Sequence, residues 1–169
     1  MEFNINDQEV SDRISACLTE FHRIGCIIEG LGSTNNAVPF LTRYSIISAC
    51  GTVEFGYKNL IADVNLENQS TQIRNYLNKK IRLSSANPTY ANMCSITKEF
   101  DLEWNRRFKE IVNDLDSSHR IKDSLESLNE ARNSFAHGGL PTTSFDEVRR
   151  YFNDCIKVLE AFETAISSA

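Results

Sequence analysis

An arginine and a histidine five positions apart, Arg132 and His137, are the residues of this chain best suited to chemistry. Arginine stays charged at physiological pH, and its planar guanidinium can hold two phosphate oxygens at once. A histidine side chain titrates at about pH 6.5 when nothing perturbs it, so it can accept or donate a proton near neutrality. Asn133 adds a polar group that can orient a neighbouring side chain. Such a set can bind a phosphate and move a proton.

The same pair also has an ordinary structural explanation. Basic side chains near the end of a helix interact favourably with its free carbonyl groups and dipole, contributing about 0.3–1 kcal/mol. Gly138 and Gly139, which follow His137 directly, favour the functional interpretation because they leave the imidazole unshielded by bulky neighbours. Both interpretations remain open from the residues alone.

The five-residue spacing limits how the two side chains can meet. On an ideal α-helix it corresponds to a rotation that leaves His137 about 140° around the axis from Arg132. The pair therefore does not converge from a continuous helix. Convergence requires the last turn to loosen between Phe135 and Gly138, or two copies of the chain to share one cleft.

Helices are predicted to position this pair. Apolar residues recur at three- and four-residue steps and no segment alternates with a period of two, so we expect an all-α fold without a sheet. The predicted helices run from a cap at Asn6-Asp7 to Leu31, from Pro39 to about Val64, from Thr71 to about Leu83, from Tyr90 to Phe100, from Leu102 to Val112, from a cap at Asp116-Ser117 to Gly138, and onward from a capping box at Ser144 and Glu147. We expect residues 1–169 to form one domain, an up-and-down bundle of about five to seven helices.

The helix that ends in the pair has a clean core face. Its apolar positions are spaced four, three, three and four residues apart: Ile121, Leu125, Leu128, Ala131 and Phe135. Arg132 then lies at the edge of the buried stripe. The second helix contains a small, apolar middle section, so we expect it to be central. Glu54 in that helix is predicted to be either exposed or paired with a cation, such as an arginine from another helix, because a lone buried carboxylate is costly.

Composition excludes several classes of protein. The net charge of -5 argues against non-specific coating of nucleic acid. A local basic cluster is still present, formed by Arg74, Lys79, Lys80 and Arg82. It is either an RNA-binding surface or a solvated helix face. No apolar run approaches the roughly 18 residues of a membrane span, and the first residues lack the features of a secretion signal. We therefore expect a cytoplasmic protein.

The remaining cysteines and histidines suggest no further site. The five cysteines are scattered and never occur as C-x-x-C, so free thiols on helix faces are expected rather than disulfides or zinc. His22 is predicted to be a surface or cap residue. His119 would lie roughly 27 Å from His137 along a straight helix, too far to share one site.

The motif Arg132-Asn133-x-x-x-His137 resembles the R-x-x-x-x-H signature of the HEPN superfamily. The late position of the motif at a helix end, with one more helix to follow, also resembles that superfamily. The long helix 39–64 with Glu54 and the segment 131–138 look most like the RiboL-PSP and MAE_28990-type HEPN groups.

This resemblance implies a metal-independent endoribonuclease of a toxin–antitoxin or antiviral defence system, without a cofactor. It implies a homodimer with the motif at the interface, an RNA substrate and a possible antitoxin or defence partner protein. Arg132 and His137 would be catalytic, Asn133 a supporting catalytic residue and Glu54 an additional polar member. A non-catalytic HEPN-like module that binds nucleotide, RNA or a protein partner is the alternative, and a purely structural helical adaptor is a third hypothesis.

Overall fold

The computed structural model describes residues 2–66, 68–116, 120–139 and 142–167, and within these ranges the chain is helical with no strand. The described elements are α1 (Gln8–Leu31), α2 (Val38–Val64), α3 (Thr71–Leu77), a π-helical segment (Asn78–Arg82), α4 (Tyr90–Phe100), α5 (Leu102–Leu115), α6 (Arg120–Ala136) and α7 (Phe145–Ser167). The all-α prediction is confirmed. None of the helices described is long and apolar enough to cross a membrane.

Helices α2 and α7 form the centre of the bundle. α2 packs against α1, α6 and α7, and α7 also packs against α5 and α6. The two central helices approach closely at Gly56, where an added Cβ would lie 2.9 Å from Cδ1 of Leu159. The central position predicted for the second helix is therefore confirmed, although the glycine that permits the closest approach lies beyond the small residues that suggested it.

The predicted helix starts depend on local capping, which is confirmed at the starts of α1 and α7. Asp7 accepts a 2.9 Å hydrogen bond from the backbone N–H of Val10 at the start of α1. Ser144 and Glu147 form the expected capping box: the N–H of Ser144 donates to Glu147 at 2.8 Å, and the N–H of Glu147 donates to Ser144 at 3.3 Å. The hydrogen bonds that the backbone N–H and the hydroxyl of Ser144 donate to the carboxylate lower the pKa of Glu147.

The predicted third helix differs from the observed one. α3 ends at Leu77, and the chain continues as a π-helical segment to Arg82. Helical periodicity places Ile73, Tyr76, Leu77 and Ile81 on one side of this segment. Leu77 is buried, whereas Ile73 and Tyr76 are exposed. Periodicity placed these residues on one side of a helix, but among the described elements none covers Ile73 and Tyr76.

Candidate functional site

The start and core face of α6 determine where the motif lies. Asp116 is buried, and its carboxylate accepts hydrogen bonds from the N–H groups of Ile121 at 2.8 Å and Lys122 at 3.1 Å. The predicted cap at Asp116 is confirmed, while Ser117 lies outside the described residues. Ile121, Leu125, Leu128 and Ala131 are all buried, and the thiol of Cys50 on α2 donates to the carbonyl of Leu128 at 3.4 Å. This packing leaves Arg132 half-buried at the edge of the α2–α6 contact.

Arg132 is held by two neutral amides. Its Nη1 donates to Oδ1 of Asn87 at 2.9 Å and to Oδ1 of Asn133 at 3.2 Å. No carboxylate among the described residues forms an ion pair with it. The guanidinium is thus oriented without losing its positive charge to a partner, and its remaining N–H groups are available to an anion.

The loop that supplies Asn87 is itself fixed to the helices around it. Lys58 donates to the carbonyl of Ser84. Tyr57 donates to the carbonyl of Ala86 at 3.1 Å, and burial raises the pKa of this tyrosine, which keeps its hydroxyl protonated as a donor. The side chain of Asn129 on α6 donates to the carbonyl of Pro88 at 2.9 Å. These bonds fix the loop, and with it Asn87, beside the motif.

Sequence reasoning identified residues 84–89 as a loop but missed the role of Asn87. A polar residue before a proline indicates only extended or turn structure. No local pattern connects it to an arginine that lies 45 positions later in the chain.

His137 occupies the turn in which α6 ends. The N–H of Gly138 donates to the carbonyl of Phe135 at 3.0 Å, and that of Gly139 donates to the carbonyl of Ser134 at 2.8 Å. Gly138 has a φ of +80°, so the pattern is a Schellman cap that places His137 as the last residue before the left-handed turn. The side chain of His137 is exposed, and its ring has no hydrogen-bond partner among the described residues.

Helical geometry persists as far as His137, because its N–H still donates to the carbonyl of Asn133 at 3.1 Å. No hydrogen bond joins the side chains of Arg132 and His137 within the chain. The loosened last turn that could have brought them together is therefore not observed. A cleft shared between two copies remains a prediction.

Glu54 lies on α2, which packs against α6, but its carboxylate is paired within its own helix. Its carboxylate binds Lys58, one turn later on α2, and its side chain is partly exposed. The cation is therefore a lysine of the same helix and not an arginine of another. Burial raises the pKa of Cys50 to about 12, with Arg132 acting to lower it and Glu54 to raise it. Both charges thus lie close enough to act on the same thiol.

The four residues of the predicted RNA-binding cluster have different surroundings. Arg74, Lys79 and Lys80 are exposed, and the two lysines form no ion pair with any described residue. Arg82 instead binds the carboxylate of Asp63, whose pKa is raised by burial. Its guanidinium is therefore less available to an RNA phosphate than the two lysines.

A cleft of about 480 Å³ lies beside the motif and does not include Arg132 or His137. Arg43 of α2 lines this cleft, and its guanidinium lies 5.8 Å from the ring centre of Phe135 and 5.4 Å from that of Phe40. No local sequence pattern marks Arg43 as a candidate site residue. The cleft and the motif are thus neighbours, and of the two only the motif carries a histidine.

The other histidines do not join this arrangement. His22 is exposed on α1, with its Nε2 4.0 Å from the thiol of Cys26. His119 lies outside the described residues, so its predicted separation from His137 stays a prediction. Within the described ranges, no group of three histidine, cysteine or acidic residues is arranged to hold a metal ion.

Comparison with known families agrees with the all-α fold. The profile of the RiboL-PSP-HEPN family matches residues 12–168. The chain belongs to the RiboL-PSP-HEPN family. No curated protein and no solved structure matches it. In this RiboL-PSP-HEPN domain, the match extends from α1 through α7 and includes the whole motif.

Proposed function

We propose that this RiboL-PSP-HEPN domain is an endoribonuclease that acts in the cytoplasm without a metal ion. The observation that supports the proposal is the state of the motif. Arg132 is oriented by the amides of Asn87 and Asn133, which leave its charge unpaired, and His137 is exposed with its ring free. Among the described residues, these groups form a phosphate-binding cation and a proton-transfer group on one helix end.

RNA supplies its own nucleophile, so the protein needs to position the chain and move protons. The 2′-hydroxyl attacks the adjacent phosphorus, and its proton passes to a base. The bond from phosphorus to the 5′-oxygen breaks, and that oxygen takes a proton from an acid. His137 is the group for proton transfer, and Arg132 stabilises the negative charge that builds on the phosphate oxygens. The products are a 2′,3′-cyclic phosphate and a 5′-hydroxyl.

A homodimer would complete this site. Arg132 and His137 point apart on one helix, so the histidine of a second copy is the natural partner for the arginine. An apolar stripe on α2 supports this arrangement: Phe40, Tyr44 and Ile47 lie at four- and three-residue spacing and are about half exposed or more. Phe40 adjoins the motif because Arg43 stacks between it and Phe135. Burial of this stripe against a second copy would bring two motifs together.

The decisive experiment is incubation of the purified protein with a panel of RNAs in EDTA. We expect cleavage by the wild type, with 2′,3′-cyclic phosphate ends, and loss of cleavage in Arg132→Ala and His137→Ala. His22→Ala is the matched control, because it removes an exposed histidine far from the motif in sequence. An intact RNA panel with the wild type, or equal cleavage by both motif variants, would contradict the proposal.

The biological role we propose is that of a toxin or antiviral effector. An active ribonuclease of this kind needs an antitoxin or another partner protein to restrain it. Expression of the wild type should slow cell growth, and His137→Ala should remove the effect at an equal protein level. Equal toxicity of both proteins would show that the toxicity does not depend on His137.

A non-catalytic module is the second candidate, supported by the cleft beside Arg43. At about 480 Å³ the cleft is large enough for a nucleotide-sized ligand. This function predicts that RNA or nucleotide binds without being cut, and that Arg43→Ala weakens binding whereas His137→Ala does not.

A further inference from the structure

The charges of this chain are unevenly distributed. Residues 68–98 contain five of its 18 basic residues and none of its 23 acidic residues. The remainder therefore carries a net charge of -10, although the whole chain carries -5. A positive segment in an acidic protein attracts a polyanion locally while the rest of the surface repels it.

The centre of this segment is exposed and partly apolar. We call residues 71–83, which comprise α3, the π-helical segment and Leu83, the α3 platform. Residues 71–76 are all exposed, and the exposed fractions of Ile73, Tyr76 and Leu83 are 45%, 59% and 79%. Ile73 and Tyr76 lie three residues apart in α3 and therefore share a face of that helix. Large apolar side chains that lie together in water mark a surface that binds a ligand or another macromolecule.

The lysines of the platform are free to bind an anionic ligand. Lys79 and Lys80 are exposed and form no ion pair within the described part of the chain. They follow Tyr76 in the chain by three and four residues. An aromatic ring beside unpaired cations suits a nucleic-acid strand, because bases stack on the ring while phosphates bind the cations. A second copy of the platform is a less suitable partner for this surface, since two positive surfaces repel each other.

The platform is fixed in position relative to the candidate site. The chain runs from Leu83 directly into the loop that is bound by Lys58 at Ser84 and that presents Asn87 to Arg132. A pocket of about 280 Å³ adjoins the end of the platform, lined by Leu83 and Ser84 and by Gly51 and Glu54 of α2. A strand bound on the platform would thus lie beside the start of the loop that holds Arg132.

We propose that the α3 platform binds single-stranded RNA, with an unpaired base stacked on Tyr76 and phosphates bound by Lys79 and Lys80. This assigns single-stranded RNA as the substrate class of the motif. The link to cleavage rests on the proposed ribonuclease function, but binding on the platform does not. A duplex keeps its bases stacked on each other and offers none to Tyr76.

The test measures binding separately from cleavage. A fluorescently labelled 2′-O-methyl RNA of roughly 12 nucleotides cannot be cut and is long enough to span such a surface. Its affinity is measured by fluorescence anisotropy at several salt concentrations. Tyr76→Ala should weaken binding about tenfold or more, and Tyr76→Phe, which keeps the ring, should bind like the wild type. The same RNA annealed to its complement should bind more weakly and be insensitive to Tyr76→Ala.

The lysines have their own readout and control. The double variant Lys79→Gln/Lys80→Gln should weaken binding and lower the slope of log affinity against log salt by about 1.4, roughly 0.7 for each lost phosphate contact. Lys98→Gln is the matched control, because Lys98 is an exposed lysine of the same acid-free segment on α4. All altered side chains are exposed, and circular dichroism checks that each variant folds.

The outcomes separate this proposal from the ribonuclease function. Unchanged affinity in Tyr76→Ala and in the lysine variant overturns it, as does an equal loss in Lys98→Gln. If Tyr76→Ala changes the sedimenting mass and leaves RNA affinity unchanged, the platform is a protein interface and the proposal is wrong. Binding that depends on Tyr76, without cleavage of any RNA, supports the platform and contradicts the ribonuclease. Cleavage with the same KM and kcat in all platform variants supports the ribonuclease function and contradicts the platform.

Discussion

The guanidinium of Arg132 is held at 2.9 Å by the side-chain oxygen of Asn87, a residue 45 positions earlier in the chain. The partner is a neutral amide, which orients a cation without neutralising it. A carboxylate at the same place would compete with a phosphate for the guanidinium. The relationship therefore suits an arginine whose charge is needed by a ligand.

Asn87→Ala should lower the rate of RNA cleavage about tenfold, because Arg132 loses the acceptor that fixes its orientation. The free energy of unfolding should fall by only about 1 kcal/mol, since the lost hydrogen bond is partly exposed. Cleavage kinetics and urea unfolding measure the two effects. Asn113→Ala removes an exposed amide elsewhere and is the control. A wild-type rate in Asn87→Ala would show that Arg132 needs no such support.

Asn87→Asp separates orientation from charge at the same position. A carboxylate there should form an ion pair with Arg132 and keep the protein at least as stable as the wild type. Cleavage should nevertheless fall, because the carboxylate opposes the approach of a phosphate. Cleavage as fast as in the wild type would contradict the requirement for an unpaired charge.

Gly138→Ala should destabilise the end of α6 by about 1–2 kcal/mol, because a residue with a Cβ is strained at a φ of +80°. It should also lower cleavage by displacing His137. Gly30→Ala is the control, since nothing lies within 4 Å of its added Cβ. That change should raise stability by about 0.5–1 kcal/mol in α1. Urea unfolding gives the free energy of unfolding of both variants. An equal change in Gly138→Ala and Gly30→Ala would contradict strain at the cap.

Gly139→Ala tests the other half of the cap. Its φ is ordinary, but an added Cβ would lie 2.8 Å from the carbonyl oxygen of Ser134. The N–H of Gly139 donates to that same oxygen, so the substitution should weaken the cap through a steric clash. Stability equal to the wild type would mean that the turn can shift at no cost.

Mixing Arg132→Ala with His137→Ala should restore cleavage if each site takes its arginine from one copy and its histidine from the other. Random pairing yields about half mixed dimers with one intact site each, so about a quarter of the wild-type rate is expected. The mixture must be denatured and refolded together to exchange subunits. Two separately inactive variants that stay inactive when mixed would contradict the shared site.

The interface of that dimer has a direct test in the apolar stripe on α2. Ile47→Glu should prevent dimer formation and abolish the restored activity, because it buries a charge at the contact. Thr19→Glu adds the same charge at an exposed position of α1 and should leave the dimer intact. Sedimentation equilibrium gives the mass of each variant. A dimer that persists in Ile47→Glu would place the interface elsewhere.

One of the five cysteines should react rapidly with a thiol reagent in the folded protein. Cys26 is exposed, whereas burial raises the pKa of Cys17, Cys50, Cys94 and Cys155 and so suppresses their reactive thiolates. Absorbance on reaction with a chromogenic disulfide at pH 8 counts the thiols. Cys26→Ser should remove the fast phase, and denaturant should expose all that remain. A fast phase that survives in Cys26→Ser would mean that a second thiol, such as that of half-buried Cys94, is reactive in the folded protein.

The sequence by itself determined most of the helices, though not the end of α3, and the place of the motif at a helix end. Apolar periodicity, the caps at Asp7 and Ser144, and the break at Gly138 all act over a few residues. Such signals are local, so a single sequence carries them in full. The family resemblance rested on the same local features and is confirmed by the match over residues 12–168.

Only the tertiary structure decided which of those residues meet. Periodicity put Ile47 and Tyr76 on helix faces, but whether another element covers a face depends on packing between distant segments, and here neither is covered. The hydrogen bond from Arg132 to Asn87 and the ion pair from Arg82 to Asp63 likewise join segments separated in sequence. Side chains meet across such distances through the shape of the whole core, and no local pattern encodes that shape.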